Sequence, residues 1–247
     1  MKKNLLLAAG LVLAIGLANT ANASVILQAA LNEDGVCPAS PGSWQAWATD
    51  RYALPTIQSH MFTGGITCTL DTTDVGGYGM QSRSGRGASA NNGTFTLHEL
   101  YDGWTAAFVT GIVGTGMGVS LSGTGIAANT TYQMTVYAYD ASTYMNQSVD
   151  FTTDAAGTQF VNGTKAASTI SWSAGHVFTT NDGYASLNFD ITSDGTGKIK
   201  FYDLVAASGS GMRLDGFQLN TIPEPATLSL LGLFGGAFLL RLRRRNK

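Results

Sequence analysis

Charged residues are scarce in this sequence of 247 residues. Asp, Glu, Lys and Arg make up 12% of it, about half the share found in an average soluble domain. The formal net charge of −2 excludes a chain that is basic overall, as nucleic-acid binders are. The scarcity of charge also argues against a long disordered acidic protein. The 31 glycines follow no triplet period, which excludes collagen, and no stretch between Ser24 and Thr221 has a helical period of useful length.

The few basic residues lie mostly at the chain ends, where seven of the 14 occur. Between Ser24 and Thr221, seven basic residues stand against 15 acidic ones, so this part carries a net charge of −8. The middle of the chain is therefore an acidic module between two basic, apolar ends. Such a module mixes poorly with anionic polymers, except through neutral sugars or bridging cations.

The N-terminus has the pattern of a secretory signal peptide. Lys2 and Lys3 precede an apolar run from Leu5 to Leu17, and the small residues Ala21 and Ala23 then match what signal peptidase accepts. The run would cover roughly 20 Å as a helix, well short of the ~30 Å hydrocarbon core of a bilayer. We therefore expect a signal peptide over residues 1–23, export, and a mature chain that starts at Ser24.

The C-terminus has three parts in a fixed order. Pro223, Glu224 and Pro225 end the preceding strand, because proline cannot donate to a β-ladder. The apolar run from Ala226 to Leu240 then predicts a short transmembrane helix, which spans only where the bilayer thins or the flanking arginine reaches the interface. The basic cluster that follows is expected on the cytoplasmic side: Arg241, Arg243, Arg244 and Arg245.

This tail resembles the PEP-CTERM sorting signal of Gram-negative bacteria. The resemblance covers residues 222–247 and rests on the Pro-Glu-Pro tripeptide, the short glycine-containing apolar helix and the terminal arginine cluster. It implies recognition by an exosortase, a membrane-embedded cysteine transpeptidase that removes the helix. It further implies an inner-membrane intermediate and a final place at the cell surface or in an exopolysaccharide matrix. The resemblance does not extend to the activity of the domain that the tail carries.

Residues 24–221 are predicted to form one all-β extracytoplasmic domain, an antiparallel β-sandwich or jelly roll. Short alternating runs recur between turns rich in Gly, Asn, Asp and Thr. In the run from Tyr132 to Tyr139, alternation places Tyr132, Met134 and Val136 on one face, and Tyr137 and Tyr139 on the other. Near the end of the domain the alternation changes phase at Gly216, which predicts a β-bulge there. This last strand, and the run from Thr131 to Asp140, are similar to strands of β-sandwich cargo domains in the PEP-CTERM family.

Cys37 and Cys68 are the only cysteines. An even pair in an exported chain predicts one disulfide, which would clip together an irregular segment. Two cysteines without nearby histidines do not complete a zinc site, and we expect no metal cofactor. Calcium is left open, because Asp-rich turns such as Asp71 to Asp74 and Asp190 to Asp194 offer oxygen ligands, although acids of this kind also close tight turns.

The search for catalytic motifs finds none. His98 and Glu99 lack the second histidine of a zinc helix, and the alternation from Thr94 to His98 favours a strand. A glycosidase would need two carboxylates, and Glu99 with Asp102 is the best candidate pair. We therefore expect no catalytic residues, with a polysaccharide-active hydrolase around Glu99 as the alternative.

The aromatic residues suggest binding instead. Trp44, Trp47 and Trp104 are the candidate sugar-stacking residues, with Trp172, Tyr137 and Tyr139 as further members of a platform, unless these side chains fill the core. The sequence thus predicts an exported surface or matrix protein with a structural or carbohydrate-binding role and no catalysis. Its expected partners are signal peptidase, an exosortase, the membrane through the C-terminal helix, and exopolysaccharide. Nucleic acid is not among them.

Overall fold

The structure is a computed structural model that describes residues 23–32, 34–35, 38, 43–49, 57–76, 79–83, 97–101, 104–107, 112–140, 147–173 and 185–222. The described strands belong to one compact unit, Val25–Thr221. The helical elements among the described residues are short: α1 (His98–Tyr101) and two 3₁₀ turns, Thr73–Val75 and Ala166–Ser168.

The strands form two main sheets. In spatial order, the five-stranded sheet contains β11 (Ser186–Thr192), β8 (Thr131–Tyr137), β13 (Gly216–Thr221), β1 (Val25–Asn32) and β2 (Trp44–Ala48). The six-stranded sheet contains β10 (Thr169–Trp172), β9 (Gln147–Thr152), β12 (Ile199–Val205), β7 (Gly116–Gly123), β4 (Ile66–Asp71) and β3 (Ile57–Phe62). A two-stranded sheet pairs β5 (Met80–Arg83) with β6 (Trp104–Ala107). The described pairings are antiparallel except for β1 with β2, which run parallel.

The two main sheets pack face to face around one apolar core, so the prediction of an all-β sandwich is confirmed. The ring of Phe189 on β11, an edge strand, lies 5.8 Å from the ring of Phe201 on β12 and joins the two sheets there. At another point the ring of Trp47 on β2 stacks on His60 of β3 at 5.4 Å. Alternation predicted the inner face of β8 correctly, because Tyr132, Met134 and Val136 are all buried. The hydrophobic pattern therefore fixes which side of this strand faces the core.

The bulge predicted at Gly216 stays a prediction, and the backbone hydrogen bonds favour it: the N–H of Asp215 donates to the carbonyl oxygen of Tyr137 at 2.9 Å, and Tyr137 is also the strand partner of Gly216. Gly216 is the first residue of β13, and the irregular pairing between β1 and β13 lies between Val25 and Leu27 on β1. Glycine is also needed at 216 because a Cβ atom there would lie 2.2 Å from the carbonyl oxygen of Ala29 and 2.8 Å from a methyl group of Leu100. The change of phase in the sequence therefore falls at the first residue of β13, where only glycine fits against the neighbouring strand.

The expected disulfide between Cys37 and Cys68 is not supported. Cys68 is a free cysteine on β4 with no exposed surface, between the buried residues Ile66 and Leu70. Burial also raises the pKa of the Cys68 thiol well above its usual range, which makes the thiolate needed for disulfide chemistry scarce. Cys37 lies outside the described residues. Cys68 acts as a small apolar side chain of the core.

The two predicted sorting segments lie almost entirely outside the described residues. The residues outside include Ala21 of the signal peptide, the sorting motif Pro223, Glu224 and Pro225, and the arginine cluster that follows this motif. Ala23 and Ser24, on either side of the predicted cleavage point, are exposed and directly precede β1. No helix within the described part of the chain is long and apolar enough to cross a membrane.

Candidate binding face

The five-stranded sheet carries almost no charge. Its strands β1, β2, β8, β11 and β13 contain no Lys, Arg or Glu, and Asp190 is the one charged residue in them. The six-stranded sheet differs, since Lys200 on β12 forms a 2.6 Å ion pair with Asp74, and Asp150 on β9 pairs with Lys165 at 2.9 Å. A sheet face that presents polar but uncharged side chains is suited to uncharged ligands.

Strand register brings a row of polar side chains together on the outer face of this sheet. Asn188 pairs with Thr135, Thr135 with Gln218, and Gln218 with Gln28. The next row towards the far end of the strands contains Asp190, Gln133 and Asn220. We call these side chains the polar face: Gln28, Gln133, Thr135, Asn188, Asp190, Gln218 and Asn220.

Hydrogen bonds between side chains order the polar face. The Gln28 amide nitrogen donates to the Gln218 side-chain oxygen at 2.9 Å, and the Gln218 amide nitrogen donates to Asn220 at 2.9 Å. The Thr135 hydroxyl donates to the Asn188 side-chain oxygen at 2.5 Å. Because these side chains hold one another in place, little conformational entropy is left to lose when a ligand binds.

The polar face is most accessible along β8 and β11. Gln133, Asn188 and Asp190 are exposed and Gln218 is half-buried, whereas Gln28, Thr135 and Asn220 are buried. The exposed side chains border a shallow cleft of about 280 Å³, lined by Gln133, Val161, Asn162, Asn188, Phe189 and Asp190. The Asn162 side chain closes it by donating to the carbonyl oxygens of Ala167, at 2.9 Å, and Asn188, at 3.0 Å. The cleft thus has amide and carboxylate groups on one side and an anchored turn on the other.

The predicted aromatic platform is not exposed. Trp44, Trp47 and Trp172 retain only 8%, 5% and 2% of their surface, and Tyr137 and Tyr139 are also buried. Trp47 faces the core, where it packs against β3. Of Trp104, only the backbone is described, in β6. Trp47 therefore packs in the core, and Trp44, which is buried against Tyr137, presents no open ring face for a sugar to stack on.

Small residues, a helix and the six-stranded sheet explain why Tyr137 and Tyr139 are buried. Gly216 and Ala30 lie in the row between Tyr137 and β2, so the Trp44 and Tyr137 rings meet at 5.6 Å. The ring of Tyr101 on α1 lies 6.0 Å from that of Tyr137 and 6.0 Å from that of Tyr139. Tyr139, which follows the end of β8, also packs against Trp172 of the six-stranded sheet at 6.2 Å. This burial raises the pKa of Tyr137 to about 12. The aromatic cluster closes one end of the outer face, and the polar face continues from it.

The structure does not describe how Glu99 and Asp102, the carboxylate pair of the hydrolase alternative, are arranged. Residues 98–101 form the helix α1, so the expectation of a strand reaching His98 is wrong at its end. Leu100 and Tyr101 of α1 are buried against the sheet. The side chain of Glu99 and the whole of Asp102 lie outside what the structure describes.

The Asp-rich turns that left calcium open are closed by their own hydrogen bonds. One carboxylate oxygen of Asp194 accepts bonds from the backbone of Thr196 and Lys198 and from the Thr196 hydroxyl, and these bonds lower the pKa of Asp194. Asp71 accepts two bonds from Thr73 in the same way. Among the described residues, no three His, Cys, Asp or Glu side chains come together around a metal position. These turn acids are structural.

No family model and no curated protein matches the sequence. Among solved structures, a family 35 carbohydrate-binding module from an environmental isolate aligns over 63% of this chain and 96% of its own, with 16% identity and a TM-score of 0.29. The adhesin domain K1 of Lys-gingipain from Porphyromonas gingivalis aligns over 68% and 99%, with 15% identity and a TM-score of 0.30. An isomalto-dextranase of Arthrobacter globiformis, complexed with panose, aligns over 63% of this chain and 23% of its own, with 16% identity and a TM-score of 0.29. Likenesses this low assign no family and carry no argument about function.

Proposed function

We propose that this chain is an exported protein of the cell surface or exopolysaccharide matrix that binds neutral carbohydrate on its polar face and is non-catalytic. The observation that carries the proposal is the ordered set of amide and hydroxyl groups on a sheet with a single charged residue, Asp190. Sugar hydroxyls donate and accept hydrogen bonds, and Asn and Gln side chains do both as well. The polar face therefore offers matching partners to a sugar without requiring it to carry charge.

The charge of the chain supports a neutral ligand. The segment from Ser24 to Thr221 carries a net charge of −8, and the five strands of the sheet contain no Lys or Arg. Uronic-acid polymers would be repelled by this charge and would find no cation on these strands to pair with. Carbohydrate binding here depends on hydrogen bonds and on the fit of the cleft, since Trp44, Trp47 and Trp172 are buried and do not line it.

A binding screen tests the proposal. The full chain, purified in a mild detergent, is assayed against neutral glucose, galactose and mannose oligosaccharides and against polygalacturonate. We expect binding within the neutral set and none to polygalacturonate. Binding to polygalacturonate alone, or to none of the probes, would refute it. Cleavage of a bound polymer that disappears in Glu99→Gln would show instead that the protein is a hydrolase.

Export and sorting form the second part of the proposal. It is supported by the order of three segments in the sequence: the signal-peptide pattern, the β-domain and the PEP-CTERM-like tail. Signal peptidase and an exosortase are the proposed partners. The double variant Pro223→Ala/Glu224→Ala is expected to accumulate as an unprocessed inner-membrane form in the native host, measured by immunoblotting of membrane and surface fractions. The control Thr221→Ala, just before the motif, should be processed normally. If the double variant is processed at the wild-type rate, the sorting proposal is wrong.

A further inference from the structure

The edge strand β3 has an unpaired side. It is the last strand of the six-stranded sheet and pairs with β4 alone. In an antiparallel strand, every second residue directs its backbone N–H and C=O away from the partner strand. Within the described part of the chain, the backbone of β3 forms one bond besides its pairing with β4, from the Gly65 N–H to the carbonyl oxygen of Phe62, which closes the turn. The backbone groups on the other side of β3 are therefore available to a further strand.

The outer face of β3 exposes two large apolar side chains. Ile57 retains 49% of its surface and Met61 retains 70%, and Ser59 is exposed between them. The strand contains no Asp, Glu, Lys, Arg or Pro, which are residues that commonly keep an edge strand from pairing with another chain. An uncharged edge with exposed apolar groups is a template for strand pairing.

The other edge strands of the two main sheets lack this combination. β11 carries the exposed Asp190 on its outer face. β10 buries its apolar residues Ile170 and Trp172, and the one exposed residue of β2 is the small Ala48. Among the described edge strands of these sheets, β3 is thus the one that exposes large apolar side chains and carries no charge.

The order of residues along β3 is complementary to itself. When two copies of β3 pair antiparallel with Ser59 opposite Ser59, each Ile57 lies opposite a Met61. These apolar pairs form on the outer face, where directly opposed side chains stabilise a sheet. On the other face, each Gln58 lies opposite a His60. The Gln58 side-chain nitrogen is buried without a hydrogen-bond partner, and this pairing places an imidazole, which can accept a bond, across from that side chain.

We propose that β3 is a dimerisation strand and that its partner is the β3 strand of a second copy of this chain. The two strands pair antiparallel about a two-fold axis at Ser59, so that the two six-stranded sheets become one continuous sheet. Each copy then offers the same surface to the other, as a two-fold interface requires. Because one strand from each copy makes a small interface, the dimer is reversible and dissociates at low micromolar concentration.

The charge of the chain sets the salt dependence of this dimer. The segment from Ser24 to Thr221 carries a net charge of −8, so two copies repel each other at long range. No charge lies on β3 itself, and Asp71, the partner of Ile57 on β4, is one strand removed from the new pairing. Added salt screens the repulsion and leaves the strand pairing intact, so it should strengthen the dimer.

Disulfide trapping in the full chain, held in a mild detergent, tests the register. All variants carry Cys37→Ser, so that the buried Cys68 is the only other thiol. Ser59→Cys should form an intermolecular disulfide on mild oxidation, because opposed Cα atoms lie about 4.5 to 5.5 Å apart. Ile57→Cys is the matched control on the same face. Its counterpart in the second copy lies about 14 Å away, beyond the reach of a disulfide. No cross-link in Ser59→Cys, or equal cross-linking in both variants, would overturn the proposal.

Sedimentation equilibrium of the same full chain, from about 1 to about 200 µM, measures the association itself. The wild type should shift reversibly from monomer to dimer. Met61→Lys places a charge opposite Ile57 of the second copy and should weaken association at least tenfold. The control Val25→Lys, at an apolar residue of β1 that is 51% exposed, should associate like the wild type. A wild type that stays monomeric, as it would if β3 paired only with a different protein, would refute the dimer. Unchanged association in Met61→Lys, as expected if the apolar chain ends associate instead, would also refute it.

Discussion

The free energy of unfolding is expected to fall as the pH rises from about 4 towards neutrality, by up to about 1.4 kcal/mol per pH unit for each of Asp203 and Asp215. In the unfolded chain such carboxyls titrate near pH 4. In the native state, burial raises the pKa of both well above that value. Between the two values the native state binds more protons, so this stability is full below about pH 4 and is lost as the pH rises.

Denaturant unfolding at a series of pH values measures this slope. Other carboxylates, such as Asp194 with its lowered pKa, contribute with the opposite sign at low pH, so the informative quantity is the difference between variants. Asp203→Asn removes one titrating group and should flatten the decline, whereas Asp34→Asn, at an exposed acid, should leave it unchanged. The nearby charges of Asp140, Asp150 and Arg213 are present in all three proteins. An Asp203→Asn slope equal to that of the wild type would show that Asp203 does not titrate abnormally.

Phe201→Ala is expected to lower the free energy of unfolding by about 3 to 5 kcal/mol, the range for removing a buried aromatic side chain. Phe201 has no exposed surface, and its ring contacts Phe189 of the opposite sheet at 5.8 Å and Phe151 of its own sheet at 6.4 Å. Truncation would leave a cavity between two sheets that cannot close over it, because both are held by strand pairing.

The matched control for this loss is Ile57→Ala. Ile57 is also a large apolar residue on a strand, but it is 49% exposed, and its truncation should cost no more than about 0.5 kcal/mol. Chemical denaturation of the three proteins under one set of conditions gives the comparison. A loss in Phe201→Ala as small as that in Ile57→Ala would mean that the two sheets do not pack through this ring.

Local alternation predicted the core of single strands but not what covers their outer faces. Tyr132, Met134 and Val136 are buried as expected, because a period of two is set by the backbone alone. Tyr137 follows the same alternation outward, yet it is buried, because Trp44 and Tyr101 pack against it. These contacts join distant parts of the chain through the fold, and no local pattern encodes them.

The polar face also depends on contacts between residues that are far apart in the sequence, which the strand register brings together. Gln28 and Gln218 are 190 residues apart in the chain and bond only because β1 pairs with β13. The sequence did carry a signal, since these residues lie at alternate positions of strands that contain a single charged residue, Asp190. The buried residues Asp203 and Asp215 were not recognised either, because in the sequence these two residues look like the other aspartates, and only the burial of carboxylate oxygens without hydrogen-bond partners distinguishes them.

The central claim is that the polar face binds neutral carbohydrate, and the most direct test is the affinity of that face for the tightest neutral oligosaccharide from the screen. We expect Gln133→Ala and Asn188→Ala each to weaken binding by about tenfold, the value of one or two hydrogen bonds. The control Gln81→Ala, on β5 of the two-stranded sheet, should bind like the wild type. Added salt should leave the wild-type affinity unchanged, because no ion pair is involved. Unaltered binding in both Gln133→Ala and Asn188→Ala, with all variants folded, would contradict the claim.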